Sequence, residues 1–336
     1  MEIFITGVAG LIGRGLARLY LERGDRVTGV DAAATARRRL TPEFTDHPRV
    51  SLMVEDLLTD GEWQNTCAAA DRVLHLAANS DIRRSFDSPD LDLRHGFMTT
   101  QRVLETMRAG SARRIGFASS SAVYGEPEKL PTPENYGPLL PVSLYGAAKL
   151  ASEGLISAYC HGYGFAACVF RPANIVGGEA THGVVFDFVH ALRRDPSRLR
   201  ILGDGRQSKP YLHASECAGA MAYSLEHTER GIEAYNLSPS DTLDVREIAG
   251  IVCRVLGLDG VRYEFTGGER GWPGDVPLVR LDPGRLAAQG WKSRLTSRQA
   301  VERAARELAA VSAGRPVRAE RAPPSVSLDT RLGPEI

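Results

Sequence analysis

Cysteine is sparse in this chain and never paired at short spacing. The five cysteines (Cys67, Cys160, Cys168, Cys217 and Cys253) lie far apart without a C-x-x-C, so neither a zinc-ligand pattern nor a disulfide framework is indicated. An excess of one charge is also lacking. The 41 Lys and Arg are balanced by 41 Asp and Glu, which removes the basic surplus a nucleic-acid surface carries. No window approaches the roughly eighteen consecutive apolar residues of a membrane span. The N-terminus, M-E-I-F-I-T-G, has no basic n-region and no long apolar h-region, so no secretory signal is read there. These absences lead us to expect a soluble, cytoplasmic protein with buried free thiols and no nucleic-acid or membrane partner.

What is present suits a globular chain. Its 336 residues are 43% hydrophobic and 24% charged, enough for one large or two intimately packed domains. Short apolar runs recur at Glu2–Thr6, Arg26–Val30, Val50–Val54, Arg72–Ala77, Ile115–Ala118 and Ala166–Phe170. Helical patterns lie between them at Arg14–Arg23, Trp63–Ala70, Leu93–Ala109 and Leu144–His161. Strands that are apolar throughout and alternate with helices indicate a parallel sheet covered on both faces. The alternation fades after Arg171, where Thr181–Arg194, Leu199–Gly203, Tyr211–Glu226 and Val245–Leu256 are separated by glycine-rich loops. The expected fold is α/β, a Rossmann-type doubly wound parallel sheet over 1–172 interleaved with a smaller substrate-binding α/β region over 173–312. The stretch 313–336 has few large apolar residues and several prolines, and reads as a mobile tail.

Gly7, Gly10 and Gly13 follow the first strand and open the first helix. The first suits a tight turn, the second lets a pyrophosphate approach the backbone, and the third lets the helix pack close to the strand. The phosphates would rest on free N–H groups at the positive helix end. Asp31 closes the second strand, where a carboxylate accepts from adenosine ribose hydroxyls and repels a 2′-phosphate, so NAD is expected rather than NADP. Arg37, Arg38 and Arg39 are the counter-argument, although such a run is more often a solvated face. Asp56, after the third strand, is placed for the adenine edge. Leu76, Ala77 and Ala78, after the fourth, would let the cofactor lie across the sheet.

A second signal lies between Phe117 and Lys149. An apolar strand delivers Ser119, Ser120 and Ser121, and about twenty-five residues later Tyr145 and Lys149 stand one helical turn apart on one face. A hydroxyl facing a Tyr–Lys pair can move a proton beside a redox cofactor. Alone, Y-x-x-x-K is a weak pattern. The cofactor loop gives it meaning.

Taken together, the chain resembles extended short-chain dehydrogenase/reductases, specifically the nucleotide-sugar epimerases and dehydratases. The resemblance rests on Gly7-Val-Ala-Gly10-Leu-Ile-Gly13, Asp31, Asp56-Leu57, His75-Leu-Ala-Ala78, Ser119-Ser-Ser-Ala-Val-Tyr-Gly125, Tyr145-Gly-Ala-Ala-Lys149, Arg171-Pro-Ala-Asn174 and Gly203-Asp-Gly-Arg-Gln-Ser-Lys-Pro-Tyr-Leu-His213. It runs from Met1 to about Leu308. It implies that Tyr145 accepts the proton of a sugar hydroxyl while hydride passes to the nicotinamide. Lys149 would bind the nicotinamide ribose and lower the tyrosine's pKa, and Ser120 would hydrogen-bond the reacting oxygen. Leu11, Ile12, Leu57 and Pro172 join the cofactor set. Ser80, Ser121, Asn174, Val184, Ile201, Lys209 and Arg270 join the substrate set. Family dimers pair the helices matching Leu93–Ala109 and Leu144–His161, so a homodimer is expected.

Departures from the family pattern are informative. Lys209 stands for Arg, Pro210 for Asp and Gly96 for Asn, changes that touch nucleotide and pocket shape and leave the C4 chemistry alone. Dehydratases place Asp-Glu directly after the catalytic Ser or Thr, and decarboxylating members carry a Glu in the same segment. Here those positions are Ser121 and Ala122, and alanine transfers no proton. A 4-epimerase needs neither acid, so the expected reaction is C4 epimerisation of a UDP-hexose. A UDP-hexuronate is the competing substrate, its carboxylate met by Arg83, Arg84, Thr181 or His182. A dehydratase or reductase of the same fold, and a non-catalytic nucleotide sensor, are the other readings.

Overall fold

The computed structural model describes residues 1–32, 40, 42–79, 81–82 and 84–312. Ser80, Arg83, the arginines at 37–39 and the stretch 313–336 lie outside the described residues. Six strands appear where apolar runs alternate with helices: β1 Glu2–Thr6, β2 Arg26–Asp31, β3 Val50–Val54, β4 Arg72–His75, β5 Arg114–Ala118 and β6 Ala166–Pro172. A seventh, Gly231–Leu237, completes one sheet in the order Gly231–Leu237, β6, β5, β4, β1, β2, β3, with every pairing parallel.

The strand composition explains this arrangement. Phe4, Ile5, Val27, Val73, Leu74, Ile115, Ala167 and Phe170 have essentially no exposed surface because helices cover both faces. On one side lie Leu16 and Tyr20 of helix α1 (Leu11–Glu22), with Met221 and Leu225 of the helix Ala214–Glu226. On the other lie Trp63, Leu104, Met107 and Ile156. Each such side chain contributes about 1.5–3 kcal/mol by leaving water. A third core, built on Phe188, Leu192, Ile251, Val252 and Val301, belongs to the chain beyond β6.

Three details differ from the sequence expectation. The alternation does not end at Arg171, since Gly231–Leu237 returns to pair with β6. The helix expected over Leu93–Ala109 opens with a π-helical segment, Leu93–Met98, before its α-helical part, Thr99–Ala109. Strand β4 stops at His75, before the expected Ala77, where the Leu76 N–H is shared between the Thr6 carbonyl and Oγ1 and the Ala77 N–H donates to Oγ1 at 3.1 Å. The strand order reverses between β1 and β4, and a doubly wound sheet opens its crevice at the carboxyl ends beside that point. Among the described residues no helix is long and apolar enough to cross a membrane.

Candidate active site

The glycine turn is sterically obligatory. Gly7 has φ +70°, and a Cβ at Gly13 would stand 2.3 Å from the Gly7 carbonyl oxygen and 2.8 Å from Val8 Cα. Helix α1 therefore starts hard against β1. Gly10 is its N-cap and supplies no side-chain cap, so the first-turn N–H groups around Leu11 and Ile12 are left to an outside acceptor. Asp31 forms the wall of the turn, with Oδ2 accepting from Ala9 N–H and Oδ1 from Ala32 N–H, both at 2.8 Å. An uncapped helix start that no Cβ obstructs, with a carboxylate at the end of the next strand, fits the pyrophosphate and ribose of a dinucleotide. Asp56 is exposed, with Oδ1 accepting from Leu58 N–H at 2.9 Å. Leu57 is buried in the core and supports this edge with its side chain rather than offering it to a ligand. Leu76, Ala77 and Ala78 line the end of β4 half-exposed, and Pro172 ends β6 buried.

The acid–base residues meet at the end of β5. Ser143 caps the helix Leu144–Tyr163, its hydroxyl accepting from Gly146 N–H at 3.1 Å, which fixes where Tyr145 and Lys149 project. Ser120 leads the short turn Ser121–Tyr124 and accepts from Ala122 N–H at 3.1 Å. Burial pushes the Tyr145 phenol up to about 12, and the neighbouring Ser120 hydroxyl works against that rise. Lys149 is buried, donates to the Ala118 carbonyl at 2.5 Å, and lies 4.8 Å from the Phe117 ring centre and 5.7 Å from that of Tyr145. Burial brings its ammonium down to about 8, opposed by Asp92 and Glu153. The expected lowering of the tyrosine by Lys149 is not seen in the folded chain, where burial dominates and only the Ser120 hydroxyl opposes it. Desolvation wins, and the neutral phenol is the resting form near pH 7.

Beneath this cluster lies a buried polar network that sequence reasoning did not find. Ser119 donates to Glu153 Oε1, and Arg171 grips the same carboxylate at 3.0 Å and 2.6 Å. Arg171 also reaches Tyr124 and the Glu134 carbonyl, and Tyr124 continues to Asn236. Of the three serines, then, Ser119 is tied into this network and Ser120 stands beside the Tyr145 phenol. A Glu one helical turn beyond Lys149 was the available signal.

The substrate-side residues divide in the same way. Asn174 and Val184 are half-exposed, the former donating through Nδ2 to the Pro210 carbonyl at 3.3 Å. Ile201 does not face a ligand. Its side chain is fully buried in the third core, and its neighbour Leu202, 40% exposed, points outward instead. Ile201 ends the strand Arg198–Ile201, and Leu202 opens the turn that follows it. Lys209 is tied to Asp275 at 2.5 Å, with the Asp275 carboxylate also accepting from Gly271 N–H. Arg270 pairs with Glu126 and donates to the Asp275 carbonyl. Thr181 and His182 are exposed.

A dinucleotide turn and a Ser–Tyr–Lys cluster on one sheet edge define an oxidoreductase-type site of the short-chain dehydrogenase class. Residues 3–238 match the model of the NAD dependent epimerase/dehydratase family, and the chain belongs to that family. A putative UDP-glucose 4-epimerase of Methanocaldococcus jannaschii is 28% identical over 308 residues, 90% of this chain and 96% of that protein. A UDP-galactose 4-epimerase of known crystal structure is 34% identical, with a TM-score of 0.81 over 93% of this chain and 99% of its own. The Thermus thermophilus UDP-glucose 4-epimerase, solved in complex with NAD, is 26% identical, with a TM-score of 0.80 over 92% and 99% of the two chains.

Proposed function

We propose that the protein is an NAD-dependent 4-epimerase acting on a UDP-hexose or UDP-hexuronate. The observation that carries this reading is what the β5 turn lacks. Ser121–Tyr124 contains no acidic residue, and Glu153, the carboxylate behind it, is locked between Ser119 and Arg171. Eliminating water at C5–C6 needs an acid and a base at the sugar, and this turn offers neither.

NAD held on the glycine turn and Asp31 would supply the hydride acceptor for C4. Tyr145, as the phenolate, would take the proton of the 4-hydroxyl as C4 is oxidised and, as the phenol so formed, give it back on reduction. Ser120 hydrogen-bonds the same oxygen, and Lys149 places a positive charge beside it. Because Tyr145 both takes and returns the proton, the sugar leaves with its mass unchanged once it has presented its other face. Asn174, Lys209 and Arg270 are the polar groups nearest to hand for the diphosphate. UDP-glucose and UDP-galactose are the first pair to test, given the activities named for the relatives. The exposed apolar residues Leu93, Met98 and Leu144 on the two paired-helix faces support a homodimer, and a cytoplasmic location belongs to the same reading.

The test is direct. Release of NAD on denaturation is expected. Incubation with UDP-glucose, UDP-glucuronate or UDP-N-acetylglucosamine, followed by NMR, is expected to give the C4 epimer of one of them. A 4-keto-6-deoxy product overturns the proposal.

A further inference from the structure

Asp92 is an acid that the chemistry above does not use, and it is only 2% exposed. Its oxygens are held by neutral donors. Asn79 Nδ2 donates to Oδ1 at 3.0 Å, and the Ser85 hydroxyl donates to Oδ2. One helical turn further on, Gly96 brings this segment against the helix Leu144–Tyr163, where a Cβ on Gly96 would lie 3.4 Å from Ala148 Cβ. Asp92 is thereby set over the start of that helix, and its charge acts on both Tyr145 and Lys149.

The groups around Lys149 leave few candidates for a counter-charge. The Ala118 carbonyl of β5 is a dipole only. His75 of β4 is bonded to Thr6 and Thr100 and held neutral, its pKa near 3, by burial and by Lys149 itself. Glu153 also supports the ammonium, but it is shared with the Arg171 fork. Asp92 has no ion-pair partner among the described residues and is the remaining carboxylate. A buried charge is expensive unless another offsets it.

We propose that Asp92 is a positioning residue of the active site, the counter-charge that keeps the Lys149 ammonium protonated in its buried seat beside Tyr145. This rests on the epimerase reading and deepens it. Removing the carboxylate lets both Lys149 and Tyr145 give up their protons at lower pH. The falling limb of the kcat/KM profile, set by Lys149, then moves toward acid, by on the order of one pH unit. A purely structural role would lower the profile without displacing it.

The experiment compares the wild type with Asp92→Asn, with Asp92→Ser as a second charge-free variant, and with Asp92→Glu, which retains the charge. Each is followed from about pH 6 to pH 10 on the UDP-sugar the wild type converts. Acid displacement in the charge-free variants that Glu restores is the expected result. Profiles that superimpose after scaling overturn the inference. A wild type that converts no UDP-sugar overturns the epimerase reading instead. In that case the pH midpoint for acetic anhydride labelling of Lys149, mapped by mass spectrometry, decides the Asp92 question. It is expected to fall in the charge-free variants, and an unchanged midpoint refutes the counter-charge.

Discussion

Replacing Arg171 with Met tests the buried network beneath Ser120, Tyr145 and Lys149. The guanidinium makes two bonds to Glu153, one to the Tyr124 hydroxyl and one to the Glu134 carbonyl, and both members of the pair are less than a tenth exposed. Arg171→Met removes all four and leaves a carboxylate at Glu153 with only Ser119 to hold it. Breaking one side of such a buried pair costs about 3–5 kcal/mol, a large part of the 5–15 kcal/mol that stabilises a typical domain. With a urea slope of about 3 kcal/mol/M, the unfolding midpoint falls by roughly 1–1.7 M. The double variant Glu153→Leu with Arg171→Met should recover much of the loss, because no charge is then stranded. Equilibrium unfolding of the four proteins measures the coupling. A single-variant cost below about 1 kcal/mol, or strictly additive costs, refutes the reasoning.

Further outcomes concern the site itself. Tyr145→Phe should lower kcat by a factor on the order of 10²–10⁴ while NAD still co-purifies, read by turnover and by the nucleotide released on denaturation. Gly13→Ala should abolish NAD retention, since its methyl group has no room beside the Gly7 carbonyl, and should also lower the melting temperature. Turnover should decline as pH rises through about 8, where Lys149 loses its charge. Lys149→Arg remains charged to above pH 12 and should flatten that limb at reduced overall activity.

The parts of the fold legible in the sequence are those with local causes. The glycines of the first turn, Asp31 at a strand end, and strands buried on both faces each leave a pattern over a few residues. Gly231–Leu237 left no such pattern because Glu233 and Asn236 interrupt its apolar run. Their partners are distant, Arg285 for Glu233 and the carbonyls of Thr132 and Asp282 for the Asn236 amide. Lys209 was read as a departure beside Pro210, yet its carboxylate comes from Asp275, 66 positions along. Ile201 and Leu202 are adjacent apolar residues, and only packing decides which faces inward. Asp92 left no signal, and Glu153 only its place one helical turn beyond Lys149. A buried acid looks like any surface acid until the residues that enclose it are known.

The final described helix, Ser297–Ser312, reaches back across the molecule. Glu307 accepts from the Gly178 N–H at 2.9 Å and from His213, and a Cβ at Gly178 would stand 2.3 Å from Glu307 Cβ. The turn after Asn174 is thus closed by a residue made 129 positions later. At ribosomal rates of about 5–20 residues per second, that turn waits on the order of ten seconds for its carboxylate. During synthesis the sheet residues up to Pro172 can assemble first, whereas the wall of the crevice around Gly178 takes its final shape only when nearly all of the described chain has emerged.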